Sequence, residues 1–212
     1  MFRLTRYLQA LARPDDHPRR PQVAAPTGPV VIWNLVRRCN LTCKHCYSIS
    51  ADIDFPGELS TAEVFEVMDD LRAFGVPVLI LSGGEPLLRS DIFDIARYGT
   101  ELGLRMVMAL NGTLVTEKVA RQLVESGIQR ISVSLDGSSA ETHDRFRQVK
   151  GAFESTLRGI ELIKNAGLEF QINTTITKTN LAEIPQIQQL AVDLGAVAHH
   201  IFLLVPTGRG KY

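Results

Sequence analysis

The strongest constraint on the fold is an alternation of short apolar runs and longer amphipathic runs that begins near residue 30. The short runs, rich in Val, Ile and Leu, predict strands at 30–36, 78–82, 105–110, 130–135, 170–176 and 198–205. Between them, a capping box at Ser60 and Glu63 predicts one helix start, and helix ends are predicted at Gly127, Gly167 and Gly195. Strands that alternate with helices pair in parallel through right-handed crossovers. We therefore expect an α/β fold, either a doubly wound sheet or a barrel, whole or partial.

Polar residues or glycines follow every predicted strand. They lie at Cys39–Cys46, Gly83–Pro86, Asn111–Thr113, Ser134–Gly137, Asn173–Thr177 and Pro206–Gly210. In both candidate folds the carboxyl ends of parallel strands meet at one edge, where binding and catalytic groups collect. The sequence therefore predicts one site built from the ends of all the strands.

Composition excludes several classes of function. The chain has 212 residues, with 23 Lys and Arg and 23 Asp and Glu, so no net charge favours nucleic acid or an anionic membrane. No run of about 18 apolar residues predicts a membrane span, and the N-terminal segment lacks the apolar core of a signal peptide. We predict a cytoplasmic protein with one core domain at 30–212. A short helix and a proline-rich linker are expected at 1–29.

The cysteines form a single loop after the first strand. Cys39, Cys43 and Cys46 are the chain's 3 cysteines, in the spacing C-x3-C-x2-C. Their close spacing and odd number favour metal ligands over disulfides. Thiolates are the usual ligands of iron–sulfur clusters, and three of them would leave one iron of a 4Fe-4S cluster open to another ligand. A zinc site that includes the adjacent His45 is the alternative.

The cysteine spacing resembles the signature of the radical S-adenosylmethionine (SAM) superfamily, and the motifs after the later strands resemble that family in the same order. The resemblance implies a partial (β/α)6 TIM-like barrel. It also implies that Cys39, Cys43 and Cys46 hold a catalytic 4Fe-4S cluster, with SAM chelating the open iron. Reduction would then cleave SAM to a 5′-deoxyadenosyl radical that abstracts hydrogen from the substrate.

The same resemblance implies a set of SAM contacts. Gly83, Gly84 and Glu85 look like the family's Gly-Gly-Glu-Pro element, which binds the SAM amino group. Ser134 and Asp136 resemble the positions that contact the ribose and carboxylate. The remaining implied cofactor-binding residues are His45, Tyr47, Asn111, Asn173 and Thr175. His45 stands where many members carry an aromatic residue, and Leu110 stands where many carry threonine.

Further segments resemble the tetrapyrrole-modifying branch of the family, which acts in heme d1 biosynthesis and in the siroheme-dependent route to heme. They are the N-terminal Met-Phe-Arg, the strand around 28–34 and Phe-Pro-Gly-Glu-Leu-Ser at 55–60. This implies modification of propionate side chains on a siroheme-derived tetrapyrrole, and an electron donor such as flavodoxin or ferredoxin. It also implies a SPASM-like C-terminal extension with a second iron–sulfur cluster. Because no cysteine follows Cys46, we expect a fragment that cleaves SAM without completing substrate turnover. A peptide or protein maturase of the same family is the alternative.

A substrate with several carboxylates predicts cations near the mouth of the site. The candidates are Arg37, Arg38, Lys44, Arg89 and Arg209. The adjacent His199 and His200 lie on a predicted strand, where neighbouring side chains point to opposite faces, so at most one of them faces the site.

Overall fold

The computed structural model describes residues 28–211, so the predicted N-terminal helix and nearly all of the predicted linker lie outside the described residues. The strands are β1 Val31–Val36, β2 Val78–Gly83, β3 Arg105–Leu110, β4 Arg130–Ser134, β5 Phe170–Ile176 and β6 His199–Leu203. The helices are α1 Thr61–Ala73, α2 Ile92–Glu101, α3 Glu117–Glu125, α4 Ala140–Arg147, α5 Ala152–Asn165 and α6 Ile184–Leu194. Short 3-10 helices lie at Pro86–Leu88, Leu181–Glu183 and Gly208–Lys211.

The strands form one parallel sheet in the order β1-β2-β3-β4-β5-β6. A doubly wound sheet reverses its strand order at a switch point, whereas a barrel adds each strand next to the preceding one. The sequential order therefore selects the partial barrel. Register places Ser134, Asn173 and His200 side by side across β4, β5 and β6.

The two faces of the sheet differ sharply. The outward face packs under the helices, and its apolar side chains are fully buried because successive strand residues alternate between faces. This face includes Leu79, Leu81, Met106, Met108, Ile131, Val133 and Ile172, each with 0% exposure. The inward face carries Asn34, Ser134, Asn173 and Thr175 in the carboxyl halves of the strands, so that end of the barrel interior is polar.

Most helices occur where the sequence predicts them. Ser60 caps α1 through the predicted capping box with Glu63, and Gly195 ends α6 in a left-handed conformation with φ of 85°. The exception is α4, which lies between β4 and α5 and was not predicted. Its sequence, AETHDRFR, offers little apolar periodicity, and its buried face is mainly polar. Packing against the cysteine loop, rather than hydrophobic spacing, therefore defines this helix.

Among residues 28–211, no helix combines the length and the hydrophobicity that crossing a membrane would require.

Candidate functional site

The cysteine loop follows β1 at the carboxyl edge of the sheet. Cys39 and Cys43 are buried and Cys46 is half-buried, and all three are free thiols. Burial raises the pKa of the Cys39 thiol to about 12. Burial also raises the pKa of Cys46, but hydrogen bonds from Ser48 and Ser50 outweigh it, so that pKa falls below its ordinary value. The Ser50 amide lies 3.4 Å from the Cys46 sulfur, within reach of a sulfur acceptor.

Gly83 and Gly84 allow the end of β2 to lie directly against the start of the cysteine loop. The Gly84 amide donates to the Val36 carbonyl at 2.6 Å. A Cβ on Gly83 would lie 2.0 Å from the Val36 oxygen, and one on Gly84 would lie 2.2 Å from the Arg38 oxygen. No side chain fits at those distances, so glycine is required at both positions. The pair therefore sets where the cysteine loop begins.

Glu85 is fully buried and turned toward protein amides. Its carboxylate accepts from the Leu87 amide at 3.2 Å and from the Asn111 amide at 2.8 Å. Burial raises its pKa to about 7, although both hydrogen bonds favour the charged form. In this structure the Glu85 side chain joins the ends of β2 and β3, and its backbone amide donates to the Arg38 carbonyl at 2.9 Å.

Asn111 connects the end of β3 to the first cysteine. Its side-chain amide donates to Asn40 at 2.8 Å and lies 4.0 Å from the Cys39 sulfur. Its side-chain oxygen accepts from the amide of Thr113 at 2.8 Å. The Asn40 side chain in turn donates to the Thr113 hydroxyl at 2.9 Å. This closed network fixes the Cys39 side of the loop.

Asp136 and Arg147 form a buried ion pair beneath the second cysteine. Asp136 also accepts from the Thr175 amide at 2.7 Å, while Arg147 donates to the Cys43 sulfur at 3.6 Å. Burial would lower the pKa of Arg147, but the charges of Asp136 and Cys43 raise it above its ordinary value, so the guanidinium is charged. Burial raises the pKa of Asp136, while Arg147 favours its charged form.

Sequence reasoning did not identify Arg147. It lies on α4, the helix that was also not predicted, and no local spacing relates it to the cysteines. A signal that could have found it is the two arginines in the last turn of a short polar segment just after Asp136, since a cation near thiolates and a carboxylate is a natural partner.

His45 packs between the cysteine loop and α4. Its ring contacts the Phe146 ring at a tilt of 37°, with centroids 4.4 Å apart, and burial lowers its pKa to about 3, so the ring is neutral. Within residues 28–211, three buried nitrogen atoms around this loop have no hydrogen-bond partner: His45 Nδ1, Arg147 Nε and Arg209 Nη2. Buried polar groups are normally satisfied. Unpaired nitrogens beside three free thiols therefore fit a site for an iron–sulfur cluster and a polar cofactor.

The predicted residues on the later strands face the barrel interior. Ser134 and Asn173 are half-buried neighbours across the sheet, and Gln171 donates to Asn173 at 3.1 Å. His200 lies beside Gln171 on this face, with ring nitrogen and amide nitrogen 3.2 Å apart. His199 faces outward and bonds Thr174, which confirms that at most one of the two histidines faces the site.

Tyr47 and Thr175 complete the set of predicted cofactor-binding residues. The exposed Tyr47 follows the third cysteine and donates to Asn34 on the inward face of β1 at 2.6 Å. Thr175 lies on the inward face of β5, and its amide bonds Asp136. The structure therefore gathers all the predicted residues around one mouth, although Glu85 and Asp136 contact protein groups instead of open space.

The expected substrate cations are mostly engaged elsewhere. Arg38 pairs with Asp52 and Asp54, and Arg89 pairs with Asp91 at 2.6 Å. Arg37 bonds the Ser48 carbonyl at 2.9 Å and lies 4.4 Å over the Phe55 ring. Arg209 bonds the cysteine loop, and the exposed Lys44 is left at the surface. These arginines bond the loop and its flanking segments, so their number near the cysteines is explained by contacts within the protein.

A mononuclear zinc site would require several ligands around one position. Over the described range 28–211, no three His, Cys, Asp or Glu side chains converge in that way. Iron–sulfur clusters instead take each cysteine on a different iron, so their ligands need not converge on a single ion.

Fold and site together define the core of an iron–sulfur barrel enzyme, in which a three-cysteine loop lies at the carboxyl ends of six parallel strands. A family model described as the Radical SAM superfamily matches residues 33–191. The chain therefore belongs to the radical SAM superfamily, which implies a 4Fe-4S cluster and SAM.

Similar proteins agree with this assignment. The AdoMet-dependent heme synthase of Methanosarcina barkeri is 54% identical over 181 residues, which cover 85% of this chain and 52% of that protein. The pre-heme d1 synthase of Dinoroseobacter shibae is 45% identical over 212 residues, covering 100% of this chain and 51% of that protein. The chain thus spans about half the length of the curated relatives it matches.

Solved structures share the fold. SuiB of Streptococcus suis, solved with S-adenosylmethionine, aligns with a TM-score of 0.73 at 16% identity, over 95% of this chain and 45% of that one. This confirms the predicted partial barrel.

Proposed function

We propose that this chain binds a 4Fe-4S cluster through Cys39, Cys43 and Cys46 and uses it to cleave SAM. The observation that carries the proposal is that three free thiols lie on one loop at the carboxyl edge of the sheet, next to the charged Arg147 and to unpaired buried nitrogens. When bound and reduced, the cluster supplies the electron that splits SAM into methionine and a 5′-deoxyadenosyl radical.

The chain's own residues would bind and orient SAM. Arg147 offers a buried cation for the methionyl carboxylate. Ser134, Asn173 and Thr175 face the interior and suit the ribose and adenine edges, with His45 and Tyr47 at the rim. We propose that Gly83, Gly84, Glu85, Asn111 and Asp136 border the cofactor as well. Glu85 and Asp136 also accept hydrogen bonds from protein amides, which holds these contacts in place. The barrel wall excludes water from the radical.

The proposed substrate is a siroheme-derived tetrapyrrole modified on its propionate side chains in heme d1 biosynthesis. The support is the similarity to a heme synthase and a pre-heme d1 synthase, together with polar side chains at the carboxyl end of the barrel interior. A related heme synthesis reaction is the nearest competitor. Residues 30–212 would form the core domain, a second cluster would belong to a C-terminal extension, and flavodoxin or ferredoxin would supply electrons. Free thiols and an oxygen-sensitive cluster suit the reducing cytoplasm.

The test is anaerobic reconstitution of the chain with iron and sulfide, followed by incubation with SAM and dithionite. We expect about four irons per chain by the cluster chemistry and formation of 5′-deoxyadenosine. Didecarboxysiroheme, Fe-coproporphyrin III and an unrelated peptide are then added in separate reactions. Tetrapyrrole-dependent acceleration of SAM cleavage supports the proposed substrate. Acceleration by the peptide alone would favour the maturase alternative, and absence of 5′-deoxyadenosine in every reaction would refute the proposal.

A further inference from the structure

The segment after β6 closes onto the cysteine loop from the far edge of the sheet. Arg209 donates from Nε to the Cys43 carbonyl at 2.8 Å and from Nη1 to the Ser50 carbonyl at 2.7 Å. Its own amide donates to the Cys46 carbonyl at 3.0 Å. These bonds join residues 166 and 159 positions apart in sequence, so they tie the last strand to the first loop.

Gly208 makes this approach possible. Its φ is 54°, and a Cβ there would lie 2.4 Å from the Cys46 oxygen and 2.5 Å from the Tyr47 oxygen. The backbone therefore touches the loop at the third cysteine, and any side chain would push it away. The Arg209 side chain then bonds two carbonyls from two different nitrogens, Nε and Nη1, which lie in one rigid plane, whereas a lysine would have to reach both carbonyls from a single nitrogen on a flexible stem.

The charge of Arg209 differs from that of the other cation at this loop. The Arg147 charge is compensated by Asp136. In the part of the chain that the structure describes, no carboxylate forms an ion pair with Arg209, whose partners are carbonyl oxygens. Its Nη2 atom is buried without a partner. Arg209 is half-buried, and a cation whose charge is not neutralised by a carboxylate exerts a stronger field on a nearby cluster than a paired one does.

We propose that Arg209 is a positioning residue that latches the cysteine loop and raises the reduction potential of the cluster. The latch is the set of bonds from Arg209 to the carbonyls of Cys43, Cys46 and Ser50. When the cluster accepts one electron from a low-potential donor, its negative charge grows, so a nearby cation stabilises the reduced form. Surrounding charge and hydrogen bonds are recognised determinants of cluster potential. The inference rests on the cluster assignment but not on the tetrapyrrole substrate.

The experiment compares four reconstituted chains: wild type, Arg209→Gln, Arg209→Lys and the control Arg121→Gln, which removes an exposed arginine on α3. Iron content is measured first, and the reduction potential is then measured by redox titration followed by electron paramagnetic resonance. For Arg209→Gln we expect about a tenfold lower ratio of reduced to oxidised cluster at a fixed potential, a shift of about 59 mV for one electron. Arg209→Lys should have a reduction potential close to that of the wild type, because the positive charge remains. Arg121→Gln should match the wild type.

The latch has a separate readout in amide hydrogen exchange of residues 43–50 in the same proteins. Both Arg209 variants should exchange faster than wild type there, since neither glutamine nor lysine has the rigid donors on separate nitrogens that bond the two carbonyls. A loaded Arg209→Gln chain with the wild-type potential would overturn the inference. If that variant loses its cluster, unchanged exchange in Arg209→Lys would overturn it instead. A wild-type chain that binds no iron would overturn the cluster assignment, which distinguishes the two failures.

Discussion

The wall of the barrel and the cysteine loop are stabilised in opposite ways. The wall is regular structure whose outward face is fully buried under helices by apolar side chains such as Leu81 and Ile131. The loop has little regular structure and is held by polar contacts from distant parts of the chain, including Asn111, Arg147 and Arg209. Hydrophobic burial is non-directional and scales with area, whereas a hydrogen bond fixes one atom against another. The wall therefore stabilises the fold, and the loop contacts fix the positions of the cysteines.

This division predicts that substitutions in the two regions fail differently. A change in the wall should lower the free energy of unfolding and leave the chemistry of the surviving folded protein intact. A change in the loop should impair the chemistry and leave the free energy of unfolding nearly unchanged.

The largest expected effect is on the loop. Cys43→Ala should abolish the visible absorption of the cluster and all formation of 5′-deoxyadenosine, because one iron loses its ligand. The free energy of unfolding of the cluster-free chain should change much less than for a substitution in the wall. Thr42→Ala, an exposed neighbour in the same loop, is the control and should retain cluster and activity. A Cys43→Ala chain that still produces 5′-deoxyadenosine would contradict the assignment.

The wall has its own matched pair of isoleucines. Ile131 on β4 is 0% exposed and Ile32 on β1 is 62% exposed. Ile131→Ala should lower the free energy of unfolding by about 2–5 kcal/mol, since it removes buried methyl groups and leaves a cavity. Ile32→Ala should cost less than about 1 kcal/mol. Denaturant unfolding of the cluster-free chains measures both. Equal costs would show that the inward face is packed as tightly as the outward face.

Glu85 lies where the two regions meet, and its titration offers a test of that junction. Burial raises its pKa to about 7, above the ordinary 4.5. Between those values the folded chain retains a proton that the unfolded chain has released. The stability that this proton contributes is fully present below about pH 4.5 and is lost as the pH rises through about 7.

The free energy of unfolding of the cluster-free chain should therefore fall by roughly 2 kcal/mol between pH 5 and pH 7 through this group. Glu85→Gln should flatten that slope, while Glu117→Gln, at an exposed carboxylate on α3, should leave it unchanged. Unfolding curves at several pH values measure the slopes. A slope that is the same in wild type and Glu85→Gln would mean that another group is responsible.

The two regions also differ in how well the sequence predicts them. The strands were predicted nearly to the residue, because apolar periodicity determines which face of each element is buried. The cysteines, glycines and polar residues that follow the predicted strands indicated which groups would lie together at the carboxyl edge of the sheet. The same periodicity argument misses α4, whose buried face is mainly polar.

What the sequence could not predict is which polar groups form hydrogen bonds with other groups of the protein. Arg209 was expected to meet a substrate carboxylate, yet it bonds backbone carbonyls that no sequence pattern could locate. The expected contact of Glu85 with the SAM amino group stays a prediction, and the two protein amides that its carboxylate accepts had no signal in the sequence. Such partners depend on the exact approach of loops from different strands, which is a tertiary property.

The smallest expected effect tests whether the two regions are coupled. Ser60 caps α1 at the end of the segment that leaves the cysteine loop, and Thr116 caps α3 away from it. Ser60→Ala and Thr116→Ala should each lower the free energy of unfolding by about 1 kcal/mol, because each leaves a helix N-terminus without its side-chain acceptor. If the loop contacts alone fix the positions of the cysteines, neither substitution alters the iron content. Loss of iron in Ser60→Ala but not in Thr116→Ala would show that the helix start also positions the loop.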